Sequence, residues 1–263
     1  METARFRGRV ALVTGGASGI GEAMSRLVVR EGGSVVLADL QQDLGTALAQ
    51  ELGPEATLVP TDVSEESDVQ GAVAAALDAY GRLDVVCNNA GLPGPDPQVV
   101  NIDVDDYRRM LDILLLGVIL GTKHGARAMI AGGHPGAIVN TASTAAQRGG
   151  LGPHIYTTAK HAVVGFTRSS ASELGAHGIR VNAVAPSGIP TPMAARFRFG
   201  DASRLDDMAA SIAERSPLPW GSSPDDVAEA IAWLASDSSR YITGEVIVVD
   251  AGLINAPART PKG

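Results

Sequence analysis

The sequence predicts an α/β protein built on one doubly wound parallel sheet of about seven strands, with helices on both faces. Three observations predict it. Short β-rich apolar runs alternate with amphipathic helical stretches from one end of the chain to the other. A glycine-rich turn stands directly between the first such run and the first helix. The composition, 45% hydrophobic with only 4% aromatic, is carried by Ala, Val, Leu and Ile, which suits close packing of helices on a two-sided sheet. At 263 residues, 1–263 reads as a single domain without repeat or linker.

The first strand, Arg9 to Val13, meets Thr14-Gly15-Gly16-Ala17-Ser18-Gly19-Ile20-Gly21, after which Glu22 to Arg30 is amphipathic. Glycines permit positive φ and close approach of backbone to a ligand, and the helix start beyond them offers free N–H groups to a pyrophosphate. This is a Rossmann-type arrangement, although its spacing is G-x-x-x-G-x-G rather than the general G-x-G-x-x-G. The second strand, Ser34 to Asp39, ends on a carboxylate placed to accept adenosine ribose hydroxyls. Asp39 points to NAD, because a 2′-phosphate would meet a like charge and neither Ala17, Ser18 nor Leu40 supplies a cation.

A helix follows through Leu44, Ala47, Leu48 and Leu52, then a third strand, Ala56 to Pro60. Ser64 is expected to cap a helix that runs to Tyr80 with Val69, Val73 and Leu77 inward. The fourth strand, Leu83 to Cys87, feeds Asn88-Asn89-Ala90-Gly91, and Leu92 to Pro97 is a loop. Between Met110 and Leu120 apolar residues occupy nearly every helical face, so this helix is expected to be buried all round, partly by a second subunit. The fifth strand holds Ala137-Ile138-Val139, and a helix after Pro153 continues to Leu174. Gly178 to Pro186 carries the sixth strand. Residues 190–219 read as an irregular substrate lid, and its Phe197 and Phe199, two of only four phenylalanines, suggest an apolar pocket. Ser223-Pro224-Asp225-Asp226 starts the last helix, Tyr241 to Gly252 holds the last strand, and 255–263 is a loosely held tail.

Tyr156 and Lys160 stand four apart and so project from one helical face, where an ammonium is expected to lower the phenol's pKa. Ser143, beyond the fifth strand, can face them. The single cysteine, Cys87, lies in an apolar run and reads as packed, and the five histidines show no ligand spacing, so no metal is expected. A net charge of −8 disfavours nucleic acid and anionic membranes. No apolar run suggests a membrane span, and Met1 to Arg5 lack the apolar core of a secretory signal, so a cytoplasmic location is expected.

With its glycine turn, N-N-A-G, Ser143 and Y-x-x-x-K, the chain resembles the short-chain dehydrogenase/reductase family along nearly its whole length. The resemblance implies an NAD-dependent oxidoreductase that interconverts a secondary alcohol, apolar or alicyclic, and its ketone. Tyr156 would exchange the proton, Lys160 would tune it and hold the nicotinamide ribose, and Ser143 would steady the substrate oxygen. The cofactor would be held by Gly15, Ser18, Gly19, Ile20, Gly21, Asp39, Asp62, Val63, Asn89, Pro186, Ile189 and Thr191 together with Tyr156 and Lys160. Asp62 would bond the adenine amino group, and Asn88 and Asn89 would brace the sheet. A homotetramer or homodimer is implied. The chain departs from the family pattern at Leu114, which stands for an asparagine that supports a proton-relay water, at Ser187, which displaces a glycine, and at Ala251. Two other readings are a non-catalytic NAD(H)-binding regulator with an eroded site, and an epimerase or dehydratase, which the lack of an extra substrate domain disfavours.

Overall fold

The computed structural model describes residues 4–218 and 220–255. Among them seven strands and nine α-helices alternate: β1 (Val10–Thr14), α1 (Gly19–Arg30), β2 (Ser34–Asp39), α2 (Gln42–Leu52), β3 (Ala56–Pro60), α3 (Glu66–Tyr80), β4 (Val85–Asn88), α4 (Val104–Leu111), α5 (Gly117–Gly132), β5 (Gly136–Thr141), α6 (His154–Leu174), β6 (Ile179–Pro186), α7 (Pro192–Phe199), α8 (Leu205–Ala213), α9 (Pro224–Ala235) and β7 (Val246–Val249). The strands form one sheet in the order β3-β2-β1-β4-β5-β6-β7, every neighbouring pair parallel. The predicted doubly wound sheet is therefore present. The order reverses between β1 and β4, which opens a crevice at the strands' carboxyl ends.

Strand alternation divides the core in two. Val13, Leu37, Cys87, Val139 and Val184 point to one face, under α1 and α9, and Leu12, Val36, Val86, Ile138 and Val181 to the other. Burial pushes the Cys87 thiol up to about 12, so it is packed and unreactive as expected. Asn88 braces the sheet centre: its Nδ2 donates to Asn140 Oδ1 at 2.9 Å and to Thr122 Oγ1 at 3.2 Å. Asn140 Nδ2 in turn donates to Thr167 Oγ1 of α6 at 2.9 Å.

Several local expectations are corrected. α1 begins at Gly19, so Gly19-Ile20-Gly21 form its first turn. Ser64 does not cap α3; its hydroxyl donates to Asp62 Oδ1 at 2.6 Å, and the helix starts at Glu66. Leu77 is 40% exposed, because the small Ala72 and Ala76 draw α3 onto the sheet by another face. The segment expected to be an irregular lid holds two helices: Thr191 and Pro192 start α7, and α8 follows. Of the expected tail 255–263, Asn255 ends a 3-10 turn, Leu253–Asn255, and residues 256–263, like residues 1–3, lie outside the described residues.

α4 and α5 run on through a π turn, Asp112–Leu116. The resulting helix, Val104–Gly132, is long and apolar enough to cross a membrane by length and composition, which the reading of the sequence missed. Its most apolar stretch is 56% buried within the fold, however, as a core helix would be. Within one chain Met110, Leu114, Val118 and Leu120 are covered and Leu116 is exposed.

Gly121 of α5 sits where a Cβ would collide with Asn88 Oδ1, whereas Gly71 of α3 has open space around it. Gly121→Ala is expected to lower stability by about 1–3 kcal/mol and Gly71→Ala to raise it by about 0.5–1 kcal/mol, read as urea midpoints.

Candidate active site

The crevice is floored at one end by the glycine turn. Gly15 (φ +63°) and Gly19 (φ +56°) hold backbone conformations that side chains disfavour. A Cβ at Gly21 would strike the Gly15 carbonyl. Asn89 braces this turn, its Nδ2 donating to Thr14 O at 3.1 Å and Gly15 O at 3.3 Å and its backbone N–H to Thr14 Oγ1 at 2.9 Å. The start of α1 has no side-chain cap, so its amide groups remain available to an anion at Ser18, Gly19 and Ile20.

Asp39 is no solvated loop residue. It is 5% exposed; Oδ2 accepts from Ala17 N–H at 2.9 Å and Oδ1 from Gln41 N–H at 2.9 Å. The carboxylate is thereby fixed beside the glycine turn. Gln41, which sequence reasoning missed, also reaches Ser18 Oγ with its amide at 3.3 Å; its place two residues past Asp39 was the available signal. Asp62 Oδ1 accepts from the backbone and hydroxyl of Ser64. The Val63 side chain packs with Val69 and Leu120 and against Gly117, so only its backbone can meet a ligand.

At the crevice's other wall, Pro186 closes β6 and Ser187 N–H donates to Val249 O at 3.1 Å, so the displaced glycine leaves this exit tied to β7. Ile189 is buried in the core beneath α1 and α9. Thr191 Oγ1 accepts from Ala194 N–H at 3.2 Å as the α7 cap. A Cβ at Gly19 would come within 3.0 Å of the Thr191 methyl, so the two walls nearly touch. Cradle, anchored carboxylate and free helix amides together fit a dinucleotide.

Ser143, Tyr156 and Lys160 converge at the end of β5 and the start of α6. Lys160 is 3% exposed, and its Nζ donates to the Thr141 carbonyl at 2.6 Å. Burial pushes this ammonium down to about 8. It lies 5.6 Å from the centre of the Tyr156 ring. Ser143 Oγ accepts from Ala145 N–H at 3.1 Å and is left with its own proton to donate. The expected lowering of the tyrosine by the lysine is not found. Burial holds the phenol above its ordinary value, opposed only by its hydrogen bond with Ser143. Among the described residues no group of histidines, cysteines and carboxylates could hold a metal ion.

The family model described as Enoyl-(Acyl carrier protein) reductase matches residues 15–254. Momilactone A synthase of Oryza sativa subsp. japonica is 46% identical over 94% of this chain and 90% of its own length. Borneol dehydrogenase, mitochondrial, of Lavandula x intermedia is 44% identical over 95% and 92%. The crystal structure of levodione reductase superposes with a TM-score of 0.86 at 34% identity, covering 96% of this chain and 100% of that one. The chain belongs to the short-chain dehydrogenase/reductase family. It is an oxidoreductase of the alcohol dehydrogenase or ketone reductase kind.

Leu114 is this family member's sharpest local departure. It lies within the π turn, fully buried, and packs with Met110, Ile155, Ala159 and Tyr156. A Cβ on Gly91 would come within 3.0 Å of Leu114 and 3.9 Å of Lys160 Nζ, so an isobutyl group stands where the lysine's side of the site closes. Such a group can neither hold a water nor relay a proton. Leu114→Asn is expected to speed turnover and to shift its pH profile, measured between pH 6 and 10; an unchanged rate and profile would show that the proton leaves by another route.

Proposed function

We propose that this short-chain dehydrogenase uses NAD and interconverts an apolar, alicyclic secondary alcohol and its ketone. The observation that carries the chemistry is the convergence of Ser143, Tyr156 and Lys160 at one strand end. For the cofactor it is the buried, doubly anchored Asp39 with no cation beside it. For the substrate, the surroundings of the site are apolar, with the partly buried Leu92 and Tyr156 packed on buried Leu114 and Ile155. Met193 and Phe197, four apart on α7, stand 45% and 49% exposed, a pair suited to closing on an apolar ring. Momilactone A synthase and borneol dehydrogenase, by their names, agree with that class of substrate. A homo-oligomer is supported by exposed Leu116 and by the groove between α5 and α6, where Ile130 is exposed and Ile119 and Phe166 are half-buried.

Bound nicotinamide supplies the hydride acceptor or donor. In the oxidative direction Tyr156, as phenolate, takes the hydroxyl proton, and Ser143 donates its O–H to the substrate oxygen while the Ala145 amide fixes its rotor. Lys160, with donors beyond the one spent on Thr141, can hold a ribose hydroxyl. Because the buried phenol ionises late, oxidation is expected to rise with pH from neutrality, tempered as the Lys160 ammonium is lost above about 8. Ketone reduction, which needs the phenol protonated, is expected to hold at neutral pH and fall in alkali. Tyr156→Phe is expected to reduce kcat at least about 100-fold in both directions with little change in NADH affinity. An alcohol panel read by absorbance of reduced cofactor checks both, and retention of most activity by the phenylalanine variant would remove this mechanism.

Cofactor choice has its own test. Asp39→Ala combined with Leu40→Arg is expected to move the NAD to NADP ratio of kcat/KM by at least about tenfold toward NADP. An unmoved ratio would show that selection lies elsewhere.

A further inference from the structure

Thr141 is the last residue of β5, and its carbonyl is the one that receives Lys160. Its side chain is 8% exposed, and the hydroxyl oxygen is buried with no hydrogen-bond partner among the described residues. Folded interiors leave few hydroxyls in that state, since each has given up water for nothing. Asn88 Oδ1 shares the condition, but Gly121 is pressed against it and leaves no room for a ligand. Thr141 is different because of where it stands.

The parallel register pairs Thr141 with Val184. Val184, and Val139 two residues before Thr141, both belong to the core beneath α1 and α9. By alternation the Thr141 side chain therefore stands on the α1 face of the sheet, one layer beyond that core, at the carboxyl edge. That is the face bounded by the glycine turn and by Ile189, with Thr191 against Gly19. In the strand order β5 lies three places from β2, about 14 Å at the usual strand spacing, and Thr141 precedes Ser143 by two residues. A dinucleotide with its adenosine on Asp39 and its diphosphate on the start of α1 has its other end over this strand.

We propose that the Thr141 hydroxyl is a hydrogen-bond partner for the nicotinamide half of the bound dinucleotide. Nicotinamide carries a carboxamide, which both gives and accepts hydrogen bonds, and a hydroxyl can answer either. The inference rests on the reading of the site as an NAD site, and the experiment separates the two. Dissociation constants for NADH and for ADP-ribose, which lacks the nicotinamide, are measured by titration calorimetry on the wild type, Thr141→Val and Thr141→Ser, alongside thermal unfolding without ligand. Thr141→Val, which keeps the shape and loses the hydroxyl, is expected to bind NADH about tenfold more weakly and ADP-ribose as the wild type does. Thr141→Ser is expected to retain NADH affinity, and the unfolding temperature of the valine variant to hold or rise.

Unchanged NADH affinity, or an equal loss for both ligands, overturns the proposal. So does a valine variant that binds normally but melts earlier, for then the hydroxyl serves the fold. Should the wild type take NADPH and not NADH, the cofactor reading fails by itself, and the same comparison with NADPH decides the role of Thr141.

Discussion

The site depends on one buried charge. The Lys160 ammonium is almost wholly withdrawn from water and is held at 2.6 Å by the carbonyl that ends β5. An ammonium tolerates that position only with a strong acceptor, and the Thr141 carbonyl at the strand's exit provides one. The same contact sets the register of α6 against β5 and thereby brings Tyr156 opposite Ser143. Small residues make the approach possible: Ala159 and Val163 on α6 are buried, and Ala183 and Ala185 on β6 leave room for the helix. Fold and chemistry thus share a single interaction.

Burial acts in opposite senses on the two titrating groups. It raises the phenol and lowers the ammonium to about 8, so both groups are pushed toward their neutral forms and their titrations move apart. A sequence reading that considers only the attraction between phenolate and ammonium misses this, because desolvation belongs to the folded surroundings and not to the spacing. Leu114 deepens it. An apolar side chain in the π turn, packed with Ile155, Ala159 and Tyr156, helps keep the lysine's neighbourhood dry.

At the crevice's other end the same principle appears in a different material. Asp39 is accommodated in its buried position because two backbone amides, from Ala17 and Gln41, point at it. The glycine turn is held from beneath by Asn89 and Thr14, so its amides stay free for an anion. Neither device needs a cation.

Much of this was legible in the order of residues. Alternating apolar runs specify a parallel sheet, glycines followed by a helix specify a phosphate cradle, and Tyr156 four before Lys160 specifies one helical face, because each follows from local geometry that the chain carries with it. Less local features were not. Leu77 turned outward because neighbouring alanines offered a flatter face, Ser64 spent its hydroxyl on Asp62 rather than on α3, and the stretch after Thr191 formed α7 and α8 around Met208 and Ile212. The sequence by itself determined the layers, the strand ends and which side chains could meet; only the tertiary structure decided how dry those side chains are and which hydrogen bonds they have already spent, since burial is the joint product of segments far apart in the chain.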